Sequence, residues 1–357
     1  MRLIDVLMKG VVVAPDTETW TGPWLGATRR PCLQRVANRA IICHVLDSMV
    51  EAGVLEVAVV ASPEGAEEIR ACVAAEGPDG VAVRHLPVDP NDGGDALVAV
   101  AEFVGHDACL LHRANGLLGQ ALLPYVELLQ GEETDVLVLV ADDPGGARRL
   151  KVVPERPSAD PRATSISTAG YAGACLLGPG ELQRLTDLAW TSEVHDFAPI
   201  ADQLARRGRR TEVRVTSGWR HFSDDPADLL DMNRAMLDAL EGAPLPSARD
   251  GNHFEGPIVI HPTARVISSV IVGPVLIGAD ALVAESYIGP HTSIAERVHI
   301  EGAELERSIV LADASVLHVG GRLVASIIGR NARIFRDFSV PRALRLQVGD
   351  GDEVALC

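Results

Sequence analysis

Basic residues are scarce in this chain: 32 Lys and Arg stand against 49 Asp and Glu, a formal charge of −17. A surface of that sign repels phosphate backbones and anionic headgroups, which excludes nucleic acid and membrane as expected partners. Long apolar runs are missing too. No stretch approaches the roughly 20 residues of a bilayer span, and no charged-then-apolar leader opens the sequence. Cysteine is sparse and unpatterned: Cys32, Cys43, Cys72, Cys109, Cys175 and Cys357 show no paired spacing for zinc or redox work. They read as reduced, mostly buried thiols of a cytoplasmic protein. Aromatic residues amount to only 4%, so Ala, Val, Leu and Gly carry the bulk of the interior.

What is present suffices for a large fold. At 357 residues and 47% apolar content, two domains with ample core are expected. Up to residue 240, strand-like runs (Met8 to Ala14, Val54 to Val60, Cys109 to Leu111, Val136 to Val140) alternate with helical patterns. The helical stretches are Ile41 to Ala52, Pro63 to Glu76, Asp95 to Val104, Leu117 to Leu129 and Pro226 to Leu240. That alternation predicts a Rossmann-like α/β domain with a mostly parallel, doubly covered sheet. Residues 241–255, rich in Pro, Gly, Ser and charge, read as a linker.

From residue 256 the texture changes. Ile260, Val266, Val272, Ile277, Val283, Ile288, Ile294 and Ile300 recur at about six-residue intervals, separated by small residues and turn formers. A hexapeptide period places one short strand on each side of a triangular coil, with the aliphatic residue inward. The expectation for 256–357 is a left-handed parallel β-helix with closing strands.

The chain resembles the sugar-1-phosphate nucleotidyltransferases, and most of all the long-form glucose-1-phosphate thymidylyltransferases. The resemblance runs from Met8 to the C-terminus. It rests on Met8 to Ala14 followed by Thr19, Pro23 and Val36-Ala37-Asn38-Arg39, on Gly218-Trp219, and on coil segments such as Glu255-Gly256-Pro257, Tyr287-Ile288-Gly289-Pro290 and Ile328-Gly329-Arg330. It implies attack of a sugar-1-phosphate oxygen on the α-phosphorus of a nucleoside triphosphate, with magnesium and basic side chains neutralising charge.

Against that pattern, the chemistry is depleted. The family's glycine-rich phosphate loop is Pro15-Asp16-Thr17-Glu18-Thr19 here. Pro15 removes one donor and the two acids repel a triphosphate. Of the two metal aspartates, one position is Ala114, beside a retained Asn115, and the other is Phe222. A hard cation wants oxygen ligands, and neither residue has one. The resemblance implies a residual sugar pocket at Asn115, Glu155, Arg156, Gly173, Glu193, Asp196 and Trp219, with Arg29 and Arg30 as replacement phosphate contacts.

Three readings follow. The first is a repurposed homologue without magnesium-dependent transfer, binding a sugar phosphate or sugar nucleotide, with no cofactor and no metal. The second is an atypical active transferase, with magnesium, in which Arg29, Arg30, Asp224 and Asp225 compensate. The third is a β-helix acyltransferase using His291, His299 or His318 as general base. Coil faces need covering, so a homo-oligomer or a pairing with an active relative is expected.

Overall fold

The computed structural model describes residues 8–15, 30–90, 93–131, 134–141, 171–186, 197–223, 225–240 and 251–336. Within the N-terminal half the principal strands are β1 (Met8–Ala14), β2 (Glu56–Ala61), β3 (Ala82–Pro87), β4 (Ala108–Arg113), β5 (Val136–Ala141), β6 (Tyr171–Leu177) and β7 (Thr211–Thr216). They form one sheet in the order β7-β5-β6-β4-β1-β2-β3. Helices α1 (Ile41–Glu51), α2 (Pro63–Glu76), α3 (Gly93–Val104), α4 (Leu123–Gln130), α5 (Phe197–Arg206) and α6 (Pro226–Asp238) cover it.

Alternation along each strand decides which layer a residue enters. Val12, Val57 and Val59 pack with α1, α2, α4 and α6. Val11, Val13, Ala58 and Val60 pack with α3 and α5 on the opposite face. Both faces are therefore apolar, which is why β1 reads as an unbroken hydrophobic run. One strand departs from the parallel arrangement: β6 runs antiparallel to both β4 and β5.

The helix expected over Leu117 to Leu129 is shorter than its sequence pattern. Gly116–Leu117 is instead a two-residue strand paired with Arg220–His221. α4 starts only at Leu123, where Pro124 occupies the first turn. The reason is tertiary. Gly119 lies so close to Gly218 that an added Cβ would sit 2.9 Å from its Cα, and a helix through Gly119 would break that contact.

From His253 to Phe335 the chain forms three parallel five-stranded sheets, one for each side of a left-handed β-helix. The first coil strand, His253–Glu255, begins just before the expected boundary. The six-residue period is not kept strictly. Ile271, rather than Val272, is fully buried, and Ile277, Val283, Ile288, Ile294 and Ile300 follow it inward. One full turn takes 17 residues where Ser269 Oγ accepts the Ser286 amide and Ser286 Oγ accepts the Ala303 amide. This serine column satisfies corner N–H groups that would otherwise be buried without partners.

Asn233 of α6 joins the two halves. Its Oδ1 accepts from the Ala37 amide and from Ser293 Oγ, each at 2.8 Å, while its Nδ2 donates to the His291 carbonyl at 3.1 Å. Ala37 and Asn38 form the left-handed turn of a small hairpin, with φ of 46° and 64°. From there Asn38 Nδ2 donates to the Ile294 carbonyl at 2.7 Å.

Candidate functional site

β1 and β4 lie side by side, Val13 opposite Arg113, and their carboxyl ends open at one edge of the sheet. In open α/β sheets this edge receives ligands. Pro15 follows β1 there; residues 16–29, which include the rest of the glycine-free stretch 15–19, lie outside the described residues. After β4 the backbone turns through Ala114, whose amide donates to the Val13 carbonyl at 2.8 Å. The short pairing of Gly116–Leu117 with Arg220–His221 then lays the segment Gly218–Phe222 across this turn. Asn115 fixes the crossing. Its carbonyl accepts the Phe222 amide at 2.9 Å, and its Nδ2 donates to the Phe222 carbonyl at 3.1 Å.

Ala114 and Phe222, the two positions where the resemblance expects metal aspartates, thus come to one place, and there they are core. They are 0% and 2% exposed and belong to the same apolar cluster. A phenyl ring and a methyl group offer a hard cation nothing, so magnesium does not fit these two positions. Asp225, an acid that could have compensated, instead caps α6 by accepting from the Ala227 amide at 2.9 Å. Asp224 lies outside the described residues.

Beside this apolar plug sits Trp219. Its six-membered ring lies against Gly116 and Gly173, and a Cβ at either glycine would collide with it. Gly173 also has φ +62°, which a side chain would strain. Two imidazoles flank the indole. His221 stacks on it with centroids 6.0 Å apart and planes 11° apart, and His112 meets it edge-on at 6.0 Å. His112 is buried, and burial pulls its pKa down to about 4, opposed by a 2.7 Å hydrogen bond to the Arg113 carbonyl. His221 is also held below its ordinary value, by desolvation first and then by the Arg113 charge. The His112 ring is therefore neutral near pH 7, and the exposed His221 ring is biased the same way, so the indole is flanked by an aromatic rather than cationic wall.

One polar group stands out in this setting. Asn115 Oδ1 is buried and has no hydrogen-bond partner among the described residues. An orphaned acceptor beside an aromatic wall is a place for a hydroxyl donor or a water.

Of the sequence-derived site residues, Asn115, Gly173 and Trp219 converge here. Arg30 does not join them: its guanidinium lies against Gly65 of α2 and pairs with Glu68 at 3.3 Å. Arg29, Glu155, Arg156, Glu193 and Asp196 lie outside the described residues. His112, His221 and Gly116 carry no sequence signal, because only the strand pairing brings them to Trp219. The coil histidines have separate contacts. His291 bonds Asp238 of α6 at 2.7 Å, and His299 bonds Glu301 at 3.1 Å, with His318 3.7 Å from the same carboxylate. A cavity of about 280 Å³ lined by Lys9, Glu56, Arg84 and Phe103 lies at the amino end of β1 and is not part of this site.

Comparison with known proteins extends these observations. No protein-family model matches the chain. It is 27% identical over 96% of its length, and 98% of the relative's, to a glucose-1-phosphate thymidylyltransferase of Streptomyces griseus. A Streptomyces antibioticus protein of the same name is 25% identical, covering 98% of this chain and 99% of its own. A low-salt glycan biosynthesis nucleotidyltransferase, Agl11 of Haloferax volcanii, is 24% identical over 98% of this chain and 100% of its own. Among solved structures, a Bacillus anthracis protein described as a glucose-1-phosphate thymidylyltransferase in complex with sucrose superposes with a TM-score of 0.51. It is 19% identical, over 66% of this chain and 98% of that one, which speaks to the fold.

Proposed function

Because this chain belongs to the sugar-1-phosphate nucleotidyltransferase family, we propose that it is a homologue which retains the fold and part of the sugar pocket but not magnesium-dependent nucleotidyl transfer. The observation carrying this reading is the burial of Ala114 and Phe222 in one apolar cluster. Transfer from a triphosphate requires charge neutralisation at the α-phosphorus, and removing one electrostatic group from such a site costs roughly 10²–10³ in rate. Here two carboxylate positions are missing together, and their place is filled rather than left vacant, so no small shift of the chain creates a metal site.

The ligand that suits what remains is a sugar phosphate or sugar nucleotide. Trp219 and its flanking imidazoles supply an aromatic lining for a hexose, and Asn115 Oδ1 accepts a hydroxyl. Glu155, Arg156, Glu193 and Asp196 are proposed to complete the pocket. In this reading the protein works as a binding partner, in a homo-oligomer or beside an active relative, and takes no cofactor.

The test is a pyrophosphate-release assay with glucose-1-phosphate, dTTP and magnesium, paired with tryptophan-fluorescence titration using glucose-1-phosphate and dTDP-glucose. The expected result is no release above the enzyme-free blank, together with saturable binding that Trp219→Ala removes. Release that depends on the protein and is abolished by changing Arg29 and Arg30 to Ala would establish an active transferase instead.

A further inference from the structure

Helices α1 and α2 bring together three side chains that the sugar site does not use. Cys72 and Glu76 stand one turn apart on α2, and Cys43 projects from α1. One ligand atom from each lies within 4.8 Å of the other two. Cys43 is buried, while Cys72 and Glu76 are half-buried, so the group opens toward solvent on one side. Glu76 is held in place from two directions. Its Oε1 accepts from Arg35 Nη1 and its backbone carbonyl accepts from Arg39 Nη2, each at 2.6 Å. Its other oxygen, Oε2, is buried and has no partner among the described residues. A buried carboxylate oxygen without a donor is costly unless something positive completes it.

We propose that Cys43, Cys72 and Glu76 form a binding site for a thiophilic divalent cation of the zinc class, linking α1 to α2, with water as fourth ligand. The donor set is right for such a cation: two sulfurs and one carboxylate oxygen, which zinc takes at about 2.3 and 2.0–2.2 Å in tetrahedral geometry. Tetrahedral ligands at those bond lengths stand about 3.5–3.8 Å apart, so separations within 4.8 Å close by side-chain rotation. On binding, both thiols lose their protons to the buffer and no electrons move. Two thiolates, one carboxylate and the cation sum to a charge of −1, which Arg35, already on Glu76, neutralises. Arg35 would then be a positioning residue, orienting Glu76 through the opposite carboxylate oxygen. The site is independent of the sugar-pocket reading and stands or falls separately from it.

The test uses the full chain, stripped with chelator and dialysed against reductant. Zinc retention is measured by elemental analysis, and cadmium is used as a probe for its thiolate charge-transfer absorption. One zinc per chain, a cadmium band and a raised melting temperature with zinc are expected. Cys72→Ser removes the band, and Arg35→Gln weakens zinc by roughly 10- to 100-fold, as outer ligand partners do. Both substituted side chains are only partly buried, so circular dichroism should be unchanged. Absence of zinc and of the band in the unaltered chain overturns the proposal, as does equal binding by Cys72→Ser or a Cys43–Cys72 disulfide that persists under reductant.

Discussion

Phe222 and His112 carry the physical consequences at the scale of single residues. Phe222 is among the largest fully buried side chains of the molecule. Truncation of such a ring removes both transfer energy and packing, so Phe222→Ala is expected to cost about 3–5 kcal/mol in a urea-denaturation measurement. Restoring acids with Ala114→Asp and Phe222→Asp should destabilise further, since it buries charge in an apolar cluster, and should not produce pyrophosphate release. His112 makes stability depend on pH in a defined direction. Its folded pKa of about 4 lies below the unfolded value of 6.5, so the unfolded chain binds the extra proton first as pH falls. Stability is unaffected above about 6.5 and declines between about 6.5 and 4, by about 3 kcal/mol across the whole window. The urea midpoint at pH 5 should therefore fall below that at pH 7, and His112→Gln should flatten the difference. An unchanged slope in that variant would show that another group controls it.

Among the elements, the pairing of Gly116–Leu117 with Arg220–His221 decides the site, and α6 decides the join between halves. Neither was fully legible in the sequence. Val136 to Val140 and Pro63 to Glu76 announce themselves by apolar period and by a proline at a helix start, since those signals are local. The two-residue strand at Gly116 has no local signal; it exists because Gly119 and Gly218 permit backbones to touch. Asn233 is equally silent in the sequence, one polar residue in an amphipathic helix, yet it is 1% exposed and holds three bonds, two of them across the join. Asn233→Ala strands the buried Ala37 amide and the Ser293 hydroxyl, each costing about 1–3 kcal/mol when left unpaired. A loss of about 3 kcal/mol is expected, with the single unfolding transition splitting into two as the halves uncouple.

For the whole molecule, assembly follows from the coil. A parallel coil exposes flat faces that invite covering, and among the described residues its last strands expose Val324 and Phe335, at 50% and 58%. A second copy covering such a face fits the proposed oligomer, and light scattering at micromolar concentration should report at least a dimer. A monomer alone would remove that proposal. No helix among the described residues is long and apolar enough to cross a membrane, in keeping with the absence of any long apolar run in the sequence.

The sequence by itself determined what depends on near neighbours along the chain. The hexapeptide texture specifies a coil because each aliphatic residue needs only the next turn to bury it. The alternation of apolar strands and helices specifies a sheet covered on both faces, and the residues at Ala114 and Phe222 already declare that no carboxylate stands there. Tertiary structure alone decided what those residues became. Ala114 and Phe222 are far apart in sequence, and only the crossing of two short strands makes them one apolar plug. The same holds for Trp219 over Gly173 and Gly116, and for the meeting of Cys43, Cys72 and Glu76. Each is a contact between distant segments, whose geometry is set by the packing of the sheet and its helices rather than by any local preference.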